Sequence, residues 1–311
     1  MTVRPGLKGL FWIAGGTVVL IAVMLVALRF HQDDTLAAQL ALQTKRLELI
    51  DRIRLALATA SEAEKSAVMA ITDRESQDFA DQARAASADV DKERKELEPL
   101  VAQYGGKNEK DGLFQFARAF AECQRIDSDL LDLAVKNTNL KGYSLAFGPA
   151  AESIREMDRA LSRIIAEYAD ASSSEATRVM LFASRAQSGA LRIQSILPSH
   201  ISEESDQKMD QLESWMAQED QMVRKDLAGL NAVLGPGGSS DFKTADSAYA
   251  RFNATKKEIL ALSRQNTNVR SLAISLNQKR TAVLMCQDAL AALDKAVREE
   301  PVSGVTPDLP R

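Results

Sequence analysis

LAVKNTNLKGYSLAF at 133–147 and LSRQNTNVRSLAISL at 262–276 carry the same Asn-Thr-Asn triplet at the same point of a similar pattern. Asn137, Thr138 and Asn139 align with Asn266, Thr267 and Asn268 at an offset of 129. Asn and Thr are poor residues for a helix interior, because their side chains compete for backbone hydrogen bonds. A triplet of them between apolar stripes reads as a break between helices or as a polar layer. Its recurrence reads as a duplication.

The same register extends on both sides. Ile71 aligns with Ile201, Leu97 with Leu227 and Leu100 with Leu230 at an offset of 130, and a one-residue gap in the glycine loop accounts for the change to 129. GGKNEKDG (105–112) and GPGGSSD (235–241) interrupt the two halves at equivalent places; such clusters end one helix and cap the next. Weaker breaks precede them. ITDRES (71–76) has the capping-box spacing Thr72-x-x-Glu75, and LPSHISEES (197–205) contains Pro198, which has no N–H to donate within a helix. Apolar residues recur at three- and four-residue steps: Leu133, Leu140, Phe147, Ala151, Ile154, Leu161 in one half, and Leu262, Val269, Leu276, Val283, Leu290, Leu293 in the other.

Residues 34–170 and 175–298 therefore read as two copies of one all-α unit joined by ASSSE. Each has four helical segments and three breaks, which fits an up-down four-helix bundle. Gly148-Pro149 places the start of the fourth segment of the first copy; Asn277-Gln278 stands there in the second, whose fourth segment is expected to start earlier. Two architectures are open. One is two tandem bundles. The other is one long bundle of four helices of about 60 residues, each near 90 Å, with Asn137 and Asn266 in a buried polar layer.

Ahead of the copies, Leu10–Leu28 is LFWIAGGTVVLIAVMLVAL, nineteen residues without a charge, enough to cross about 30 Å of hydrocarbon. Arg4 and Lys8 precede it and Asp33 and Asp34 follow. The expectation is an uncleaved transmembrane anchor at 10–29 with a cytoplasmic stub at 1–9. The bulk of the chain is then periplasmic or extracellular, and 299–311 is a flexible tail. A net charge of −4 argues against nucleic acid. With two cysteines, two histidines and no CxxC or HExxH spacing, no metal site is expected. GPGGS (235–239) lacks the Lys-Ser/Thr of a phosphate loop, and no nucleophile or paired-carboxylate motif stands out. Neither an enzyme nor a cofactor is expected.

The candidate ligand-binding residues are Asn137, Asn139, Asn266 and Asn268, which could hydrogen-bond a ligand, and Tyr143, which could stack on one. The plainer reading is turn formation or a register-setting layer. Arg54 and Arg74 suit a carboxylate clamp but also the solvated faces of amphipathic helices. His31 and His200 read as isolated. Cys123 aligns with Phe252 and Cys286 with Met157, so each reads as a small buried hydrophobe in its own copy. A long bundle puts them about 50 Å apart along its axis and tandem bundles put them in different modules, so no disulfide is expected.

AEKSAVMAITDRESQDFADQA (63–83), LLDLAVKNTNLKGYSLAFGPAAESI (130–154) and, more loosely, ILALSRQNTNVRSLAISL (259–276) resemble the four-helix-bundle sensory domain of methyl-accepting chemotaxis receptors and related histidine kinases. The resemblance implies an extracytoplasmic sensory module for signal transduction that binds a small ligand or a protein partner and pairs as a homodimer. Those receptors continue into a second span, a HAMP segment and a cytoplasmic output domain. None follows here, so the signal is expected to pass through another membrane protein, a receptor or histidine kinase. The alternative is a structural or tethering helical rod with no small-molecule ligand.

Overall fold

The computed structural model describes the backbone of residues 7–235 and 239–300, and side chains from Leu36 onward within that range. All regular structure there is helical: α1 (Leu7–Met69), α2 (Asp73–Tyr104), α3 (Lys107–Ala134), α4 (Thr138–Leu145), α5 (Ala151–Tyr168), α6 (Ser174–Ser202), α7 (Asp206–Leu234), α8 (Ser240–Gln265), α9 (Thr267–Ile274) and α10 (Arg280–Glu299). The side chains of the apolar segment 10–28 and of His31 lie outside the described residues, as do the tail from 301 and the start of the stub. Among the residues described with their side chains, no helix is long and apolar enough to cross a membrane.

Short polar caps start four of these helices. Thr72 Oγ1 accepts from Glu75 N at 3.2 Å, the N-cap half of the expected capping box, and donates to Glu75 Oε2 at 2.9 Å. Ser173, Ser205 and Ser239 accept from Ala176 N, Lys208 N and Phe242 N at 3.0, 3.4 and 3.1 Å. Pro198 does not break α6, which runs on to Ser202; the chain turns at Glu203–Ser205 instead. Gly148-Pro149 is no helix start either. Both fourth segments begin directly after the triplets, at Thr138 and Thr267. Residues Ala146–Ala150 and Ser275–Lys279 are then π turns within otherwise continuous helices, and the two turns stand at the same offset of 129 as the triplets. A π turn carries one extra residue. In the first copy it accommodates Pro149, which lacks an N–H.

The extra residue also shifts the buried face. Ala146, Ala150, Ile154, Met157, Leu161 and Ile164 are buried while Phe147 is 64% exposed; Ser275, Lys279, Ala282, Val283 and Cys286 are buried while Leu276 is 59% exposed. The stripe read straight through Phe147 and Leu276 is thus corrected, since a left-handed residue and a π turn both break helical phase.

Packing divides the chain into two compact units, named here for their place in the sequence. Among the described residues, the terminal unit takes the chain up to Ser61, Arg84–Gln124 and the residues from Thr281 to Glu300; the central unit takes Glu62–Ala83 and Arg125–Arg280. Neither matches a copy at 34–170 or 175–298. The terminal unit joins α1, α2 and α3 of the first copy to α10 of the second. Its core holds Leu49, Ile50, Ile53, Val90, Leu97, Phe116, Leu290 and Leu293. The main core of the central unit joins α6, α7 and α8 of the second copy to α5 of the first, through Ile154, Leu161, Ile193, Leu197, Val223 and Phe252. A smaller cluster in the same unit gathers Ala67 of α1, Ala80 of α2 and Leu130 of α3, with Ile274 of α9 against it. In each core three helices of one copy receive the fourth helix of the other.

Close approaches fix these cores. A Cβ on Gly112 of α3 would lie 3.2 Å from Leu293 Cα of α10, and one on Gly189 of α6 would lie 2.6 Å from Val223 Cγ2 of α7. In the terminal unit Arg46, buried, donates to Glu109 Oε2 at 2.8 Å and to Glu300 Oε2 at 3.0 Å. Burial, reinforced by the neighbouring Glu300, pushes the Glu109 carboxyl up to about 7 against the attraction of Arg46. A carboxyl whose folded pKa is raised stabilises most below its unfolded value and loses that contribution as pH climbs through the folded one. Thermal stability of the wild type should therefore fall between about pH 4.5 and about pH 7, and Glu109→Gln should flatten that slope in melting curves. An unchanged slope in the variant would refute the assignment.

Candidate functional site

The two Asn-Thr-Asn triplets meet in the central unit as one interlocked polar knot. Asn137 and Asn266 are the only non-glycine residues with positive φ among the described residues, at 51° and 52°. Asn tolerates this left-handed conformation better than most residues. Each ends the preceding helix and starts the next, and its carbonyl already accepts the first helical bond, from Lys141 N and Arg270 N, both at 3.0 Å.

Neither Asn caps its own helix. The caps come from the other copy. Thr138 N donates to Thr267 Oγ1 and Thr267 N to Thr138 Oγ1, both at 3.2 Å, and the two hydroxyls are themselves 3.2 Å apart. Asn139 N donates to Asn268 Oδ1 and Asn268 N to Asn139 Oδ1, both at 3.1 Å. The first N–H groups of α4 and α9, orphaned in any helix, are thus satisfied by a reciprocal exchange with approximate two-fold symmetry. Asn268 Nδ2 donates to Asn137 Oδ1 at 2.9 Å and Asn139 Nδ2 to Asn266 Oδ1 at 2.7 Å.

Each left-handed Asn also ties down the weaker break of its own copy. Asn137 Nδ2 donates to Asp73 Oδ1 at 3.1 Å and Ser76 Oγ at 2.9 Å, at the start of α2. Asn266 Nδ2 donates to Glu203 O at 2.8 Å, just past the end of α6, and Asn139 Nδ2 to Ile201 O at 2.6 Å. Asn137, Thr138, Asn139, Asn266 and Thr267 are all buried, and Asn268 is half-buried. Of the five candidate ligand-binding residues, the four asparagines come together, with their amides engaged on one another. Tyr143 stands apart: its ring stacks on Phe147 at 6.0 Å, and its hydroxyl donates to Pro198 O at 3.4 Å.

Beside the knot lies an arrangement that the sequence reading missed. His200 is not isolated. It is fully buried, with Nδ1 2.8 Å from Ser263 Oγ and Nε2 2.9 Å from Glu213 Oε1. This is the order of a serine–histidine–carboxylate triad, but the chemistry does not follow. Ser263 is itself fully buried, and its hydroxyl donates to His200 O at 2.9 Å. A hydroxyl with no access to substrate is not a nucleophile. Burial lowers the His200 pKa against the pull of Glu213, while hydrogen bonds from Arg264 hold Glu213 below the usual carboxylate range. The group cross-braces α6, α7 and α8.

A second buried polar group gathers at the π turn of the second copy. Lys279 pairs with Asp127, and Glu64 lies close to both, all in the central unit. Glu64 is 1% exposed, and the Ser275 hydroxyl beside it offsets only part of the burial of its carboxylate. Burial raises the pKa of both Glu64 and Asp127, and the Lys279 ammonium offsets part of that. At the corresponding π-turn positions the first copy has Ala146 and Ala150 where the second has Ser275 and Lys279, so this charge cluster breaks the symmetry. A buried lysine at a three-to-four-residue step was the available signal, but on an amphipathic helix it reads as a solvated charge.

The two arginines suggested for a carboxylate clamp are engaged otherwise. Arg54 pairs with Asp51 and Asp294, and Arg74, with a side chain 91% exposed, approaches Asp78 at 3.7 Å. Among the described residues no group of three or more His, Cys, Asp and Glu is placed to hold a metal. Open grooves remain as ligand-accessible surfaces. One of about 750 Å³ runs between α6 and α7 past Phe182, Arg185, Gly189, Arg192 and Lys225. No protein-family model matches the chain, and comparison with curated proteins finds no match.

Proposed function

We propose that the chain is a membrane-anchored, extracytoplasmic helical sensory module that works by binding and passes its signal laterally to another membrane protein, a receptor or histidine kinase. The observation that carries this reading is α1. It is one uninterrupted helix from Leu7 to Met69, so the apolar segment 10–28 and the packed part of the helix belong to a single rod. A displacement of packed residues such as Leu49 and Ile53 would travel along that rod without a flexible joint. The duplication supports the reading further, since two copies locked by reciprocal bonds form an element able to shift as a whole. Two such chains side by side, with their anchors in the same bilayer, would make the homodimer that the resemblance implies.

The groove between α6 and α7 carries Arg185, Arg192 and Lys225 against Asp226, with Arg192 already paired to Glu219, so its lining is only modestly positive and suits an anionic small molecule over a cationic one. A second reading, a tethering rod without a ligand, is favoured by one specific fact: the side-chain amides of the knot are taken up internally. Two measurements separate the possibilities. Alkaline phosphatase fused after Glu300 should be active if the bulk of the chain is exported, and activity only from a cytoplasmic reporter would end the reading. A thermal-shift screen of the detergent-solubilised chain against organic acids and amino acids should then give a dose-dependent rise for one chemical class. A flat response would transfer the assignment to the rod.

A further inference from the structure

The two cysteines of the chain are 163 residues apart, yet their sulfurs face one another at 3.5 Å in the terminal unit. This corrects the expectation that they lie far apart. That expectation put them far apart along one long bundle or in separate tandem modules, whereas α10 of the second copy packs with α1–α3 of the first. We propose that Cys123 and Cys286 form an intramolecular disulfide that staples the last helix to the terminal unit.

Three observations converge on it. The sulfurs are already near one another, and closing to the ~2.05 Å of a disulfide asks for about 1.5 Å, within reach of small side-chain rotations. The two helices that carry them pack closely: elsewhere along the same pair, a Cβ on Gly112 of α3 would stand 3.2 Å from the Leu293 backbone of α10, and bridged cysteines need closely packed backbones. The topology supplies a reason. α10 is separated from its packing partners by Arg125–Arg280, a stretch that folds into the other unit, so docking it carries a long loop-closure cost that a covalent link would remove from the unfolded state.

The chemistry is thiol–disulfide exchange with a disulfide oxidant, either oxidised glutathione or a thioredoxin-class oxidase. One cysteine thiolate attacks a sulfur of the oxidant and expels a thiolate. The second cysteine thiolate then attacks the mixed disulfide and expels the other. Two protons and two electrons leave the chain, and the oxidant disulfide becomes two thiols. Both cysteines are 0% exposed once folded, so exchange takes place before the core closes, and the finished bond is shielded from reductant. That the chain meets such an oxidant in the cell rests on the extracytoplasmic placement proposed above; that the fold closes the bond does not.

The test uses the full chain in detergent, reduced in denaturant, refolded with oxidised glutathione, then alkylated under denaturing conditions and digested. The expected product is one linked peptide pair containing Cys123 and Cys286. Recovery of both cysteines alkylated, or carrying glutathione, overturns the proposal. The refolded chain should melt about 10 °C higher than its reduced form, from the loop-entropy scale for a chain of this size, and Cys286→Ala should be insensitive to reductant. Equal melting of the oxidised and reduced wild type would overturn the stapling role. Acid-trapping of the chain from cells separates the two questions. Oxidised cysteines there support both, whereas a bond made on refolding but reduced in cells keeps the disulfide and overturns the placement.

Discussion

Asn139→Ala is expected to lower the unfolding free energy of the central unit by about 3–5 kcal/mol. The side chain works at three points at once. Its Oδ1 accepts from Asn268 N, and its Nδ2 donates to both Ile201 O and Asn266 Oδ1. Truncation would leave two carbonyl-type oxygens and one N–H of the knot without this partner. Asn139 is only 4% exposed, so water cannot readily replace it. An unsatisfied buried group costs about 1–3 kcal/mol, and three of them with partial relaxation give the range. Asn268→Ala should cost less, about 1–2 kcal/mol, because Asn268 is half-buried and its amide donates to Asn137 alone. Chemical denaturation of the two single variants and the double would measure both the asymmetry and the coupling. A cost under about 1 kcal/mol for Asn139→Ala would mean that the knot is an adjustable surface rather than a lock, and the ligand-binding reading of the asparagines would regain ground.

Asp127→Ala should be comparably damaging, at about 3–5 kcal/mol, because it strands the Lys279 ammonium in the interior. Lys279 is 3% exposed and pairs with Asp127. Glu64, whose pKa is raised by burial, would be the remaining counter-charge. Removing both members of the pair is a different experiment. Asp127→Leu with Lys279→Met replaces two desolvated charges by packed apolar groups, and such replacements are often neutral or stabilising. The expected pattern is therefore a severe single variant and a mild double variant, read from equilibrium unfolding. If the double variant were as unstable as Asp127→Ala, the pair would be needed for more than charge compensation.

Much of the local structure was legible in the residues. The Thr72–Glu75 box, the glycine breaks and the duplicated triplets each mark a helix end for a local reason: a side-chain acceptor, a residue free of Cβ, or an amide that tolerates positive φ. One of the two architectures open to the sequence, the long bundle, placed Asn137 and Asn266 together in one polar layer; the tandem bundles did not. What could not be read was reciprocity. Nothing in LAVKNTNLK says that Thr138 caps a helix that begins at Thr267, since trans capping has no sequence spacing. The π turns were hidden for a related reason. Gly148-Pro149 is a break signal on its own, and only a continuous helix with an extra residue at that point turns it into a bulge. His200 and Ser263 looked ordinary because their partnership spans 63 residues.

The sequence by itself determined that the chain is helical, that an Asn-Thr-Asn triplet recurs at an offset of 129, and where most of its helices end, because propensity, periodicity and capping act within a few residues. Which copy's fourth helix enters which core was decided only by tertiary structure. Two copies of one unit offer nearly interchangeable apolar stripes, so periodicity identifies the buried face without naming its partner. That choice falls to long-range complementarity: the Gly112 approach to Leu293, the crossed bonds of the Asn-Thr-Asn turns, and the small differences between copies, such as Lys279 standing where the first copy has Ala150. Those contacts brought Cys123 to Cys286, and no reading of either copy alone could have done so.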